Sequence, residues 1–152
     1  MAYEAGGQFE LTIDKFTFRF PNDLKYSEAG IWIGREGSHF RLGLSDFAQQ
    51  RSGDVAFINL PLPGAELKAG DELASIETVK VNLSLPSPVM GKILEVNAIV
   101  QEAPELINLE PYNRGWMVIM QAEDLEWENS KLFNAETYAA LAKEQAETDL
   151  KS

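Results

Sequence analysis

Short apolar runs of strand length, cut at close intervals by glycine and proline turns, dominate this sequence and point to a mostly β architecture. Strands of this kind cannot bury their apolar faces alone, so they pair into hairpins that close over a shared core, with helices as additions. Phe9, Leu11 and Ile13, then Phe16, Phe18 and Phe20, alternate as a strand or extended arm would, and Pro21-Asn22-Asp23 forms a break. Residues 1–22 are therefore expected to make an N-terminal arm or strand, and residues 23–152 a single domain. At 152 residues and 45% hydrophobic, the chain suffices for one domain with a real core. The arm's aromatics are expected to cover one edge of the β structure, a docking surface for a partner being the alternative.

Further along, Ile31-Trp32-Ile33 and His39–Leu44 flank the turn Glu36-Gly37-Ser38 as a hairpin. Phe40, Leu42 and Leu44 take its core-facing places, which turns His39 and Arg41 outward. A short helix near 45–51 follows, capped by Ser45, with Asp46 in its first turn and Gly53 as its stop. Val55–Leu60, Glu72–Ile76, Val81–Leu85, Val89–Val96 and Gly115–Met120 read as strands, and Glu66–Asp71 as a turn. Gln101–Asn113 reads as an ordered loop with one helical turn. Asn134 caps a C-terminal helix whose stripe of Tyr138, Leu141 and Ala142 fades from Glu144 onward, with Leu132 and Phe133 packing back as a staple. A faint repeat relates Leu67–Leu73 to Val89–Glu95, each a glycine turn beside a short apolar strand, as in a pseudo-symmetric sandwich of hairpins.

The chemistry open to the chain is narrow. It has no cysteine, which removes disulfides, thiolate metal sites and cysteine nucleophiles, and one histidine, His39, on the outward face of a strand. A formal charge of −11 with no basic stripe argues against nucleic acid and anionic lipid as partners. No apolar run approaches the roughly 20 residues of a membrane span. The opening residues lack the basic and apolar parts of a secretory signal, so a cytoplasmic location is expected.

One lysine stands apart by its place. Lys80 lies between two strands in Ile76-Glu77-Thr78-Val79-Lys80, at the tip of a hairpin, where a side chain is exposed yet carried on a stiff frame. From Leu44 to Leu141 the chain resembles the H proteins of the glycine cleavage system, whose modified lysine sits in a Glu-Ser-Val-Lys pattern. The likeness runs through Ser45-Asp46-Phe47-Ala48-Gln49, Gly53-Asp54-Val55, Leu60-Pro61, Ser87-Pro88-Val89-Met90-Gly91, Glu95-Val96-Asn97, Pro104-Glu105-Leu106-Ile107-Asn108, Pro111-Tyr112 and Gly115-Trp116. The resemblance implies a barrel-sandwich hybrid of the lipoyl/biotinyl type with a C-terminal helix. It implies a carrier and not an enzyme, with lipoate joined covalently to Lys80 as N6-lipoyllysine. Glu77 would be read by the modifying enzyme, a lipoyl ligase or octanoyltransferase. The implied partners are a pyridoxal-phosphate glycine decarboxylase, a tetrahydrofolate-dependent aminomethyltransferase and the flavoprotein dihydrolipoyl dehydrogenase, between which the arm would move an aminomethyl group.

The likeness departs from the family pattern at two places. Where the family carries His-Glu-Trp in its first hairpin this chain has Gly30-Ile31-Trp32, and where some members carry an aspartate four residues past the lysine it has Ser84. A carboxylate in the cleft would hold the amine of a loaded arm by a charge-assisted hydrogen bond, which Ile31 cannot make. Two other readings therefore stay open. One is an H-like lipoate carrier for other chemistry, such as sulfur-intermediate transfer in sulfur oxidation. The other is a structural or interaction domain whose Lys80 is not lipoylated.

Overall fold

A computed structural model describes residues 7–122 and 131–151; the first six residues, part of the expected arm and of the stretch read for a signal, and Ser152 lie outside them. Two sheets face each other. One has six strands in the order β3-β4-β5-β11-β10-β7, formed by Lys25–Tyr26, Ile31–Glu36, His39–Leu44, Val118–Gln121, Gly91–Val96 and Glu66–Leu67. The other has three, β6-β8-β9, formed by Val55–Asn59, Glu72–Thr78 and Asn82–Pro86. Ile31, Ile33, Phe40, Leu42, Leu44 and Ile93 from the first meet Val55, Ile58, Leu73, Ile76 and Leu85 from the second in one buried core. This is the expected mostly β barrel-sandwich with a C-terminal helix.

Strand β4 shows why its sequence is apolar at successive positions. Ile31 and Ile33 face the sandwich core, while Trp32 points the other way into a second, aromatic cluster, and all three are wholly buried. A strand covered on both faces loses the alternation of a half-exposed one. Trp32 lies across its β5 partner Gly43, where a Cβ would stand 2.6 Å from the indole, and its Nε1 donates to the Pro111 carbonyl at 2.9 Å.

Tyr26 and Trp32 bring the outer face of the six-stranded sheet to this second cluster, and elements outside the two sheets supply the rest. The expected single arm folds back on itself: β1 (Gln8–Ile13) and β2 (Phe16–Pro21) pair antiparallel about a two-residue reversal at Asp14-Lys15, with Asp14 at φ 57°. Because Phe9 faces Phe20, Leu11 faces Phe18 and Ile13 faces Phe16, all six apolar side chains share one face of the hairpin. That face meets an edge of the six-stranded sheet, where Phe20 packs edge-on against Tyr26 of the outermost strand β3 at 6.2 Å. It also packs on α1 (Asp46–Ser52) and α4 (Ala135–Lys151), where Phe18 meets Phe47 edge-on at 5.0 Å and Phe20 meets Tyr138 at 5.6 Å. Tyr26 stacks on Tyr138 at 4.9 Å.

The caps fall where they were read. Ser45 Oγ accepts the Ala48 amide at 3.2 Å and Asn134 Oδ1 the Thr137 amide at 2.8 Å. The stripe of α4, however, does not fade at Glu144. It runs Ala135, Tyr138, Ala139, Ala142, Ala146, with Leu141 only half-buried, because the hairpin and the Arg51–Asp149 ion pair at 2.9 Å give the last turns a partner. The loop read over Gln101–Asn113 contains more helix than expected. Asn97 caps α2 (Ala98–Glu102), Pro104 forbids its continuation, and α3 (Leu106–Leu109) follows. The faint repeat has a physical outcome, since β7 and β10 pair directly, Leu67 against Gly91 and Glu66 against Lys92. Among the described residues no helix is long and apolar enough to cross a membrane.

Candidate functional site

The sequence Thr78-Val79-Lys80-Val81 connects β8 to β9, whose last ladder pair is Glu77 with Asn82. Such a reversal leaves amides without ladder partners, and one hydroxyl serves them. Thr78 Oγ1 accepts from the Lys80 amide at 3.1 Å and the Val81 amide at 3.0 Å, and donates to the Val81 carbonyl at 3.1 Å. The Thr78 amide donates to that same carbonyl at 2.8 Å. The turn is thus closed by its own residues, and the side chains of Val79 and Lys80 stand out in solvent. Among the described residues the Lys80 ammonium makes no ion pair and no hydrogen bond.

The lysine stem leans over the end of α1. A Cβ built on Gly53 would lie 3.6 Å from Lys80 Cδ, which is ordinary contact distance. Gly53 itself sits at φ 86°, ψ −173°, a conformation essentially confined to glycine. Asn108 fixes this shelf: its Oδ1 accepts the Val55 amide at 2.9 Å, and its Nδ2 donates to the Gly53 carbonyl at 3.0 Å and to Gln49 Oε1 at 2.9 Å. Sequence reasoning met Asn108 only inside a longer motif and gave it no role. A polar side chain directly after the buried Leu106-Ile107 was the one available signal.

Glu77 lies in an exposed row across the three-stranded sheet, with Phe57 on one side and Asn82 on the other, and it makes no ion pair among the described residues. Lys80 and Glu77 are therefore brought to the same corner. His39 is exposed at the far end of its hairpin, opposite Glu36, while Arg41 reaches back to Glu36 at 2.6 Å and over the Trp116 ring at 4.6 Å. Ile31 is wholly buried in the sandwich core, a place that would penalise a charged group heavily. Ser84, by contrast, donates to Glu72 Oε1 at 2.7 Å, so a carboxylate lies one hydrogen bond away from that position.

Two facing sheets of short antiparallel strands with a C-terminal helix define the class: this is a domain of the lipoyl type. The profile of the glycine cleavage H-protein family matches residues 24–145. The chain is 40% identical over 125 residues to the glycine cleavage system H protein of Brevibacillus brevis, covering 82% of this chain and 98% of that one. The H protein of Carboxydothermus hydrogenoformans is 42% identical over 127 residues (84% and 97% covered), and that of Bacillus subtilis 39% over 124 (82% and 97%). The crystal structure of a glycine cleavage system H protein from Mycobacterium marinum superposes with a TM-score of 0.71 at 28% identity, over 80% of this chain and 98% of that one. The chain belongs to the glycine cleavage H-protein family. It is accordingly a lipoyl carrier subunit of the glycine cleavage system and not itself a catalyst.

Proposed function

We propose that Lys80 bears the lipoyl group, as an amide on its Nζ. The observation that carries this reading is the free, outward ammonium on a turn closed by Thr78. Lys80 would hold the group, whose dithiolane would supply a reducible disulfide for aminomethyl transfer between a pyridoxal-phosphate glycine decarboxylase and a tetrahydrofolate-dependent aminomethyltransferase, with the flavoprotein dihydrolipoyl dehydrogenase as its oxidant. The residues present fit such a group. Nothing among the described residues competes for the amine, and the stem passes Gly53 within contact reach. The rest of the chain acts as a rigid tether that raises the arm's effective concentration at each enzyme. A lipoyl ligase or octanoyltransferase would attach the group, with Glu77 as part of what it reads. The same reading sets the protein in the cytoplasm with these enzymes. It also treats the N-terminal hairpin as an accessory to one lipoyl-type domain from residue 23 onward, which the family match beginning at residue 24 supports.

A second reading has its own observation. Buried Ile31 offers no carboxylate to a loaded amine, which favours an H-like carrier of other cargo, such as a sulfur intermediate. Exchange of labelled bicarbonate into the carboxyl group of glycine, run with purified decarboxylase and the lipoylated chain, separates the two. The glycine reading expects exchange that depends on the lipoylated form. A fully lipoylated chain that supports none would transfer the assignment to the second reading.

A further inference from the structure

Strand β6 carries an irregularity beside the lysine turn. Val55 pairs with Thr78, but Phe57 pairs with Glu77, so Ala56 is an extra residue and the ladder bulges there. The bulge resets the phase of the strand. Val55 and Ile58 enter the core at 6% and 8% exposure, whereas Phe57, which plain alternation would place beside Val55, is turned into solvent at 65%. An aromatic ring left in water forgoes the stabilisation of burial, and a bulge forgoes a regular pair, so neither serves the fold. Bulges gather next to functional sites, where they re-aim a side chain.

What Phe57 is aimed at follows from its neighbours. It stands directly across from Glu77, three residues before Lys80, and Val79 and Val81, at 86% and 42% exposure, flank the lysine. The tip therefore presents an aromatic ring, a carboxylate with no ion pair among the described residues, and two aliphatic side chains around one amine. We propose that Phe57 and Glu77 form a two-part docking surface for the enzyme that acylates Lys80, with Phe57 the anchor that enters an apolar pocket and Glu77 the partner of a basic group. This rests on the reading that Lys80 is acylated. That enzyme is the occupant the geometry favours, because it must hold the tip still while an activated acyl carbonyl meets Nζ. The deprotonated amine attacks, the amide C–N bond forms, the activating adenylate leaves with the electron pair, and the amine's proton passes to an enzyme base or water. Aromatic anchors supply a large share of the binding energy at such contacts.

The test uses the full, unmodified chain with a purified lipoate ligase, lipoate and ATP, and follows the acylated mass against time over a range of carrier concentration. Phe57→Ala is expected to raise the KM for the carrier about tenfold with kcat within about twofold, and Phe57→Leu to recover most of the loss. The thermal midpoint should not move, since the ring is already in solvent. Leu62→Ala, at a side chain 79% exposed beyond the other end of β6, should change nothing. An unchanged KM in Phe57→Ala, or an equal loss in Leu62→Ala, overturns the inference while leaving Lys80 as the acceptor. Normal acylation of Phe57→Ala with impaired transfer to the glycine-cleavage enzymes overturns it too, by giving the surface a different occupant. If the unaltered chain gains no acyl mass, both this inference and the reading beneath it fall.

Discussion

The lysine corner and the aromatic layer spend side chains in opposite ways. Around Lys80 the turn closes on Thr78 alone, and Phe57, Val79 and Lys80 all stand in water. In the aromatic layer Phe20, Tyr26, Trp32 and Tyr138 are buried and in ring contact, and Trp32 and Tyr138 are hydrogen-bonded to residues distant in sequence. The difference teaches where each property lives. The layer's rings are held by burial against one another, as the sandwich core is, whereas the corner's side chains are held by the turn alone. Changes to the layer should therefore alter folding and not acylation, and changes to the tip the reverse.

Alkali should hit the layer hardest, because it acts on several rings at once. Burial pushes the Tyr26 and Tyr138 hydroxyls above their ordinary range, while an unfolded tyrosine ionises near pH ~10. Above that pH the unfolded chain sheds protons that the folded one keeps, so stability is intact below pH ~10 and falls as pH rises beyond it. In a Tyr3→Phe background, tyrosinate absorbance should then appear together with the loss of aromatic circular dichroism; a tyrosinate signal preceding unfolding there would contradict the burial of these hydroxyls. Trp32→Ala comes next, expected to cost about 3–5 kcal/mol in denaturant unfolding, with Lys80 still acylated at the normal rate below the lowered midpoint.

Asn108→Ala is the variant that should cross the divide, since it strips the Val55 amide and the Gly53 carbonyl of their partner. About 1–3 kcal/mol of stability should go, and ligase kinetics should show a slower acylation as the shelf under the lysine loosens. Acylation at full rate would mean that the shelf does not position the stem. The smallest stability change is expected from Thr78→Val, less than about 1 kcal/mol because the turn is exposed, yet the acylation rate should fall and Thr78→Ser should restore it.

How much of this could be read beforehand depended on the range of the interactions. The lysine hairpin, the Ser45 and Asn134 caps and the β4–β5 hairpin all arise from residues close in sequence, and each was legible. The β1–β2 hairpin was not, because Asp14-Lys15 lacks the glycine or asparagine signal of a tight reversal. The full length of the α4 stripe depended on a partner, Arg51, 98 residues away from Asp149. At the proposed site, Lys80 and Glu77 stand in a local motif, which is why the sequence alone could single them out. The Asn108 staple spans 53 residues to Val55, and the Ala56 bulge is a matter of register, so neither left a periodic mark.

On the proposed function, the chain presents a single amine for acylation, that of Lys80. Peptide mapping after treatment with ligase, lipoate and ATP tests it most directly. One added lipoyl group is expected, found only on the peptide containing Lys80, and none on Lys80→Arg, whose melting curve should match that of the unaltered chain. A lipoyl group on any other lysine, or on the Lys80→Arg chain, would contradict it.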